Sequence, residues 1–133
     1  MTRVNVVPVE ELTNAHAFGE YKEILRPISK VKNALVKYPN KYAFYKAYSK
    51  KLPAEYTMGT GHETFFFDKL IYIAERYQQL CEWRKARGYK YTEISIEDLL
   101  DGLPSFVLQS YTPTQQALKI NRQRIAERLG EQL

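Results

Sequence analysis

Thr60-Gly61-His62-Glu63-Thr64-Phe65-Phe66-Phe67-Asp68-Lys69-Leu70-Ile71-Tyr72-Ile73-Ala74-Glu75-Arg76-Tyr77-Gln78-Gln79-Leu80 decides the fold class. Thr60-Gly61-His62-Glu63 has the form of a capping box, the signature of a helix start. Phe66, Leu70, Ile73, Tyr77 and Leu80 follow at spacings of 4, 3, 4 and 3, a continuous apolar stripe on one helix face. Arg84, Lys85 and Arg87 suit the negative end of the helix dipole, and Gly88 suits the stop. Cys81 falls near the stripe and reads as an inert buried thiol. Trp83 fits either a core anchor or a surface contact.

Upstream, a second helix is predicted over Asn14 to Lys37. Leu25, Ile28, Val31 and Leu35 recur at helical spacing, with Tyr21 one turn earlier. His16, Glu20, Glu23, Arg26 and Lys30 mark the opposite, polar face. Asn14 is the expected N-cap and Pro39 lies past the end. Pro27 has no N–H for the carbonyl of Glu23, so a kink is expected beside Glu23. Downstream, a third helix is expected over Thr114 to Leu129. Ala117, Ile120 or Asn121, Arg124 and Arg128 share one face, and Leu118, Ile125 and Leu129 make the buried one. Lys41–Lys50 suggests a short helix, and Ser95-Ile96-Glu97-Asp98 a short helix start. The expectation is all-α: a single compact domain, residues 1–133, built on three main helices.

Composition agrees. The chain has 133 residues, of which 44% are hydrophobic and 14% aromatic, enough to bury a core. Mean hydropathy is −0.49, and no apolar run approaches a membrane span. The opening residues lack the apolar core of a signal peptide, so a cytoplasmic protein is expected. One cysteine excludes an internal disulfide, and two distant histidines make a zinc site unexpected. No phosphate-cradling glycine loop and no HExxH occur.

Charge is concentrated rather than large. Between Glu23 and Glu55 there is no acidic residue, while Arg26, Lys30, Lys32, Lys37, Lys41, Lys46, Lys50 and Lys51 give +8 against a total of +5. The remainder of the chain is therefore at −3. Tyr38, Tyr42, Tyr45, Tyr48 and Tyr56 fall in or beside this segment. Lysines attract phosphates without regard to sequence, and aromatic faces stack on exposed bases. A solvated face with core-packed tyrosines is the alternative.

Glu23 and His16 are the informative titratable pair, two turns apart on one face. Lys22, Arg26 and Lys30 surround the acid and favour its ionised form. An ordinary salt-bridged surface helix would show the same spacing. His62, beside a helix start, reads as a capping or packing residue.

Met1-Thr2-Arg3-Val4-Asn5, Glu11-Leu12, His16, Glu20-Tyr21-Lys22-Glu23 and Arg26 together resemble the N-terminus of phage-type endonuclease V. That family comprises pyrimidine dimer DNA glycosylases with apurinic/apyrimidinic lyase activity. The similarity resumes at Gly59-Thr60-Gly61-His62-Glu63-Thr64-Phe65-Phe66-Phe67-Asp68-Lys69-Leu70. It continues through Arg87-Gly88-Tyr89, Asp98 and Tyr111-Thr112-Pro113 to Arg124. The resemblance implies a DNA repair enzyme without metal or cofactor. Met1 would be removed, and the α-amine of Thr2 would attack C1′ of the damaged nucleotide's sugar. Glu23 would stabilise the developing positive charge, and an imine would then drive strand cleavage by β-elimination. Arg3, His16, Lys22, Arg26, Arg124 and Arg128 match DNA-contacting positions. The implied partner is damaged double-stranded DNA, with no membrane, and the expected state is a monomer, nucleoid-associated in a bacterial or phage setting.

The sequence departs from the family pattern in places. Ala15 replaces a DNA-contacting glutamine, and Lys22 and Arg128 exchange lysine and arginine. Residues 37–56 form a longer basic, tyrosine-rich stretch. The sequence ends at Gly130-Glu131-Gln132-Leu133, where the phage enzyme continues into an aromatic tail. Those departures keep open a glycosylase or lyase for abasic or other modified sites. A non-catalytic basic DNA-binding module is the reading of a different class, and Thr2 and Glu23 argue against it.

Overall fold

Phe66, Leu70, Ile73, Tyr77 and Leu80 are all buried, and all but Phe66 lie on the 17-residue helix that the molecule is built around. The structure is a computed structural model and describes residues 4–131. Six α-helices follow in chain order among those residues: α1 (Asn14–Glu23), α2 (Arg26–Leu35), α3 (Lys41–Tyr48), α4 (Leu70–Ala86), α5 (Ile96–Leu100) and α6 (Gln115–Glu131). Short 3-10 turns cover Val9–Glu11, Thr64–Phe66 and Ser105–Val107. No strand occurs among the described residues, only an isolated antiparallel bridge between Lys69 and Leu108. The chain is therefore all-α, as expected. Helix α4 is the hub: α1, α2, α5 and the Val9–Glu11 turn all pack on it.

The expected first helix is two helices. Pro27 cannot donate to the Glu23 carbonyl, so the ladder ends at Glu23, where Ile24 N–H still reaches Glu20 at 2.7 Å. The chain restarts at Arg26, with Pro27 in the first turn of α2, where a missing N–H costs nothing. Thr13, rather than Asn14, is the N-cap of α1, its hydroxyl accepting from His16 N–H at 3.2 Å.

Two other sequence expectations need correction. Thr60-Gly61-His62-Glu63 is not a capping box. It forms tight turns, with Gly59 at φ +72° and Gly61 at φ +89°, and α4 begins only at Leu70. A side chain at Gly61 would be strained, and its Cβ would lie 3.2 Å from Pro53 Cγ. On α6 the buried face is Ala117, Asn121 and Ile125, while Leu118 is half-buried and Leu129 exposed. The helix has turned its asparagine inward. Elsewhere the boundaries agree: Gly88 sits at φ +74° just past α4, and Ser95 Oγ caps α5 through Asp98 N–H at 3.1 Å.

Asn121 faces inward because a polar network waits for it. Val6 and Val7 N–H both donate to its Oδ1, at 2.7 and 3.1 Å, and its Nδ2 donates to Asn5 Oδ1 at 2.8 Å. Asn5 Nδ2 donates in turn to Glu20 Oε1 at 2.9 Å. Arg76 of α4 grips both Glu20 oxygens, at 2.8 and 3.0 Å, and donates from Nη1 to Val7 O at 2.5 Å. Glu20 and Arg76 are 0% and 3% exposed, so this ion pair is almost dry. The face expected to be polar and solvated instead carries the buried Glu20 and His16.

Removing one partner of a dry pair strands the other's charge, at a cost of about 3–5 kcal/mol. Arg76→Met is expected to lower stability by that amount in urea unfolding. Arg76→Met combined with Glu20→Met is expected to be less destabilised than Arg76→Met alone, which a double-mutant cycle reads directly.

Candidate active site

The first described residues enter the molecule as a pinned segment. Val4 N–H donates to His62 Nε2 at 3.2 Å, and Val4 O accepts from the buried Tyr56 hydroxyl at 3.1 Å. His62 Nδ1 lies 2.8 Å from Thr57 O, which assigns the ring proton to Nδ1 and leaves Nε2 as the acceptor. Tyr72 OH reaches Asn5 O at 3.3 Å. Burial drives the Tyr56 and Tyr72 phenols well above their ordinary range, so both stay neutral donors.

His62 therefore does more than cap or pack. It ties the chain start to the loop that carries Glu63. Glu63 is 8% exposed and contacts two cations from α2: Arg26 Nε at 3.5 Å and Lys30 Nζ at 2.6 Å. Arg26 Nε lies at the same 3.5 Å from Glu23 Oε2. One guanidinium thus bridges a buried and a half-exposed carboxylate. The Glu23 side chain is 40% exposed, open to a large substrate, and it stands at the helix break that Pro27 enforces. Asn5 is tied to Glu20, one turn before Glu23, so the pinned segment runs alongside the last turn of α1.

Other sequence candidates are placed as follows. Thr2 and Arg3 lie outside the described residues. Lys22 is exposed next to Glu23. His16 is 1% exposed, its Nδ1 2.8 Å from Thr13 Oγ1, and burial lowers its pKa. Arg124 and Arg128 sit half-buried on α6, with Arg124 Nε 4.0 Å from Glu127. Of the tyrosines in the basic segment, Tyr42 and Tyr45 are exposed at 69% and 47%. Tyr38 and Tyr48 pack with Phe44, and Tyr56 with Phe65 and Phe66. Lys41, Lys46, Lys50 and Lys51 are exposed. Trp83 is a core anchor, edge-on to Phe18 at 5.3 Å. Cys81 is buried, which raises its pKa.

Residues 1–97 match the sequence model of pyrimidine dimer DNA glycosylases. The chain belongs to that family. It is thus a DNA repair glycosylase whose substrate is damaged DNA. The matched stretch contains Thr2, Arg3, His16, Lys22, Glu23 and Arg26 with the whole pinned segment, whereas Arg124 and Arg128 on α6 lie beyond it. No helix among the described residues is long and apolar enough to cross a membrane. Sequence reasoning missed Glu63 as a partner of Arg26, and missed His62 as the acceptor for Val4. Neither leaves a periodic signal, because both act from a turn.

The lowered pKa of His16 fixes the sign of a pH effect. The unfolded chain protonates near 6.5 and the folded one lower, so the unfolded state binds more protons in that window. The stabilisation is complete above about pH 6.5 and is lost as pH falls from there through the folded value. Melting temperature is expected to drop between pH 7.5 and 5.5, and the drop is expected to shrink in His16→Gln.

Proposed function

We propose that this glycosylase is also a lyase, and that both steps run through the α-amine of Thr2 once Met1 is removed. The carrying observation is the double anchorage of the segment just after it. Val4 is held to His62 and Asn5 to Glu20, both next to the carboxylates that Arg26 bridges. Thr2 N and Val4 N are two residues apart, a reach of at most about 7 Å.

An α-amine titrates near 7.7–8.0, so a useful fraction is neutral and nucleophilic at physiological pH. Its lone pair attacks C1′ while the bond from C1′ to the base nitrogen breaks, and the base leaves with that electron pair and gains a proton. Positive charge develops over C1′ and the ring oxygen as the bond breaks. Glu23 faces that charge as a fixed anion, worth more there than in water. The sugar ring then opens to an iminium linking Thr2 N to C1′. That cation accepts electrons, so a C2′ proton is lost to a base and the 3′ phosphate departs from C3′, cutting the strand. Arg26 holds Glu23 in place from one side and Glu63 from the other. Lys22, Arg3, Arg124 and Arg128 complete the proposed DNA-contacting set, with Arg26 serving both roles, whereas His16, 1% exposed, is buried away from such a contact.

The basic segment adds a sequence-independent footprint. On α3, Lys41, Tyr42, Tyr45 and Lys46 face outward, opposite the buried Phe44. Replacing Lys41 and Lys46 together by Ala is expected to flatten the slope of log K against log salt on undamaged duplex by roughly 1–2 units. An unchanged slope would make this a merely solvated face.

Glu23→Gln keeps shape and removes charge. It is expected to reduce base release on the order of 10²–10³-fold while duplex binding changes little. Protein beginning at Thr2 should be trapped on abasic DNA by borohydride, with the adduct mapping to the Thr2 nitrogen by mass spectrometry. Thr2→Ala should still be trapped, because the nucleophile is a backbone nitrogen. Efficient trapping by protein with an acetylated N-terminus would overturn the assignment.

A further inference from the structure

Arg84, in the last turn of α4, is held in an unusual way. Its guanidinium lies 5.0 Å from the Phe18 ring centroid, 4.4 Å from that of Tyr21 and 5.9 Å from that of Tyr89. Nε donates to Lys90 O at 2.7 Å. Arg76 and Arg122, by contrast, each grip a carboxylate. Among the described residues no carboxylate lies within ion-pair distance of Arg84, and the hydrogen bond from Nε is its one side-chain bond. Rings and a carbonyl fix the plane of the guanidinium without neutralising it. Its two Nη groups stay available as a rigid fork.

Arg84 lines a hollow of about 560 Å³ together with Tyr21, Tyr89, Lys90, Tyr91 and Thr92. The lining holds two cations and no acid. Tyr21 OH is committed to Thr92 N–H at 2.9 Å, and the Tyr77 hydroxyl bonds Thr92 O, so the rim is fixed as well. The hollow is separate from the site at Glu23. Tyr21 and Glu23 are two residues apart on α1 and point to opposite sides of it, with the exposed Lys22 between them, about 100° from each.

We propose that Arg84, assisted by Lys90, is a second anion site that takes a backbone phosphate of the DNA flanking the lesion. A planar guanidinium presents two parallel N–H groups to phosphate oxygens, a geometry that lysine lacks. Its pre-ordering by three rings lowers the entropy lost on binding. The inference rests on DNA as substrate and is independent of the imine chemistry.

The test uses the full chain. Titration with inorganic phosphate, followed by amide NMR, is expected to shift residues 89–92 in the wild type and not in Arg84→Gln. Glutamine retains a donor for Lys90 O and removes the charge. On undamaged duplex, Arg84→Gln is expected to flatten the salt slope by about one unit. Lys90→Gln, which keeps the backbone carbonyl that Arg84 bonds, is expected to move it in the same direction with an unchanged melting temperature. For base release, KM should rise while kcat holds. Unchanged slopes in both variants would overturn the proposal, as would phosphate shifts that miss residues 89–92. Phosphate shifts at 89–92 with unchanged duplex slopes would overturn the DNA assignment, leaving a free anion or an acidic protein partner. A wild type that shows the Arg84 effect on duplex but forms no borohydride adduct would defeat the imine reading and leave this one standing.

Discussion

The dry ion pair between Glu20 and Arg76 is the constraint on which the rest of the arrangement depends. A buried carboxylate and a buried guanidinium each demand full hydrogen bonding, and the two together have more donors and acceptors than they can satisfy between themselves. The surplus is met by Asn5 and by the carbonyl of Val7. Asn5 then recruits Asn121, whose remaining oxygen takes two more backbone N–H groups. One pair thereby joins α1, α4, α6 and the segment from Val4 to Val7. An apolar core could hold the helices together equally well. It could not satisfy the backbone of an extended, buried segment, which has no helix ladder of its own.

The same logic explains why α1 ends where it does. Glu20 faces the core, and Glu23, nearly a full turn later, stands 40% exposed. Pro27 closes α1 at Glu23, and α2 then departs on a new axis. Arg26 and Lys30 of α2 come over the Glu63 loop, while Glu23 stays at the break. The buried Glu63 is neutralised by two cations that are themselves 44% and 46% exposed. The pair of carboxylates is thus anchored on its inner side and left accessible on its outer side.

How much of this was legible in the sequence follows from where each signal resides. The stripe from Phe66 to Leu80, the stop at Gly88 and the capping serine before α5 are local and periodic, and they read correctly. The face of α1 carrying His16, Glu20 and Glu23 read as solvated because its residues are polar. The burial of Glu20 comes from partners 56 and 15 positions away, Arg76 and Asn5, neither of which lies on the periodic pattern of α1. The inward turn of Asn121 has the same cause, with partners 114 to 116 residues distant. The Thr60–Glu63 pattern misled for a different reason. A capping box requires the helix to begin there, and the positive φ of Gly61 turns the chain away before it can. In the candidate site, Glu23, Lys22 and Arg26 were visible through local spacing and family resemblance. Glu63 and His62 were visible only as letters in a motif, without the contacts that give them a role.

A nucleophile at a chain end faces a difficulty that a side-chain nucleophile does not. Terminal residues fray unless tied down, and a misplacement of about 1 Å can cost on the order of 100-fold in rate. Here the tether is a run of backbone hydrogen bonds to fixed side chains: His62 and Tyr56 on Val4, Tyr72 on Asn5, Asn121 on Val6 and Val7, Arg76 on Val7. Each tether is buried, apart from the half-buried Tyr72, and each is held by a second partner or by packing. Under the proposed chemistry, the amine is separated from this held segment by a span of at most about 7 Å. The large investment of buried polar groups in a domain of this size then has a single explanation. Under the proposed chemistry it holds Val4 to Val7, the segment just behind the reacting nitrogen, as a fixed element from which that nitrogen would be aimed at C1′.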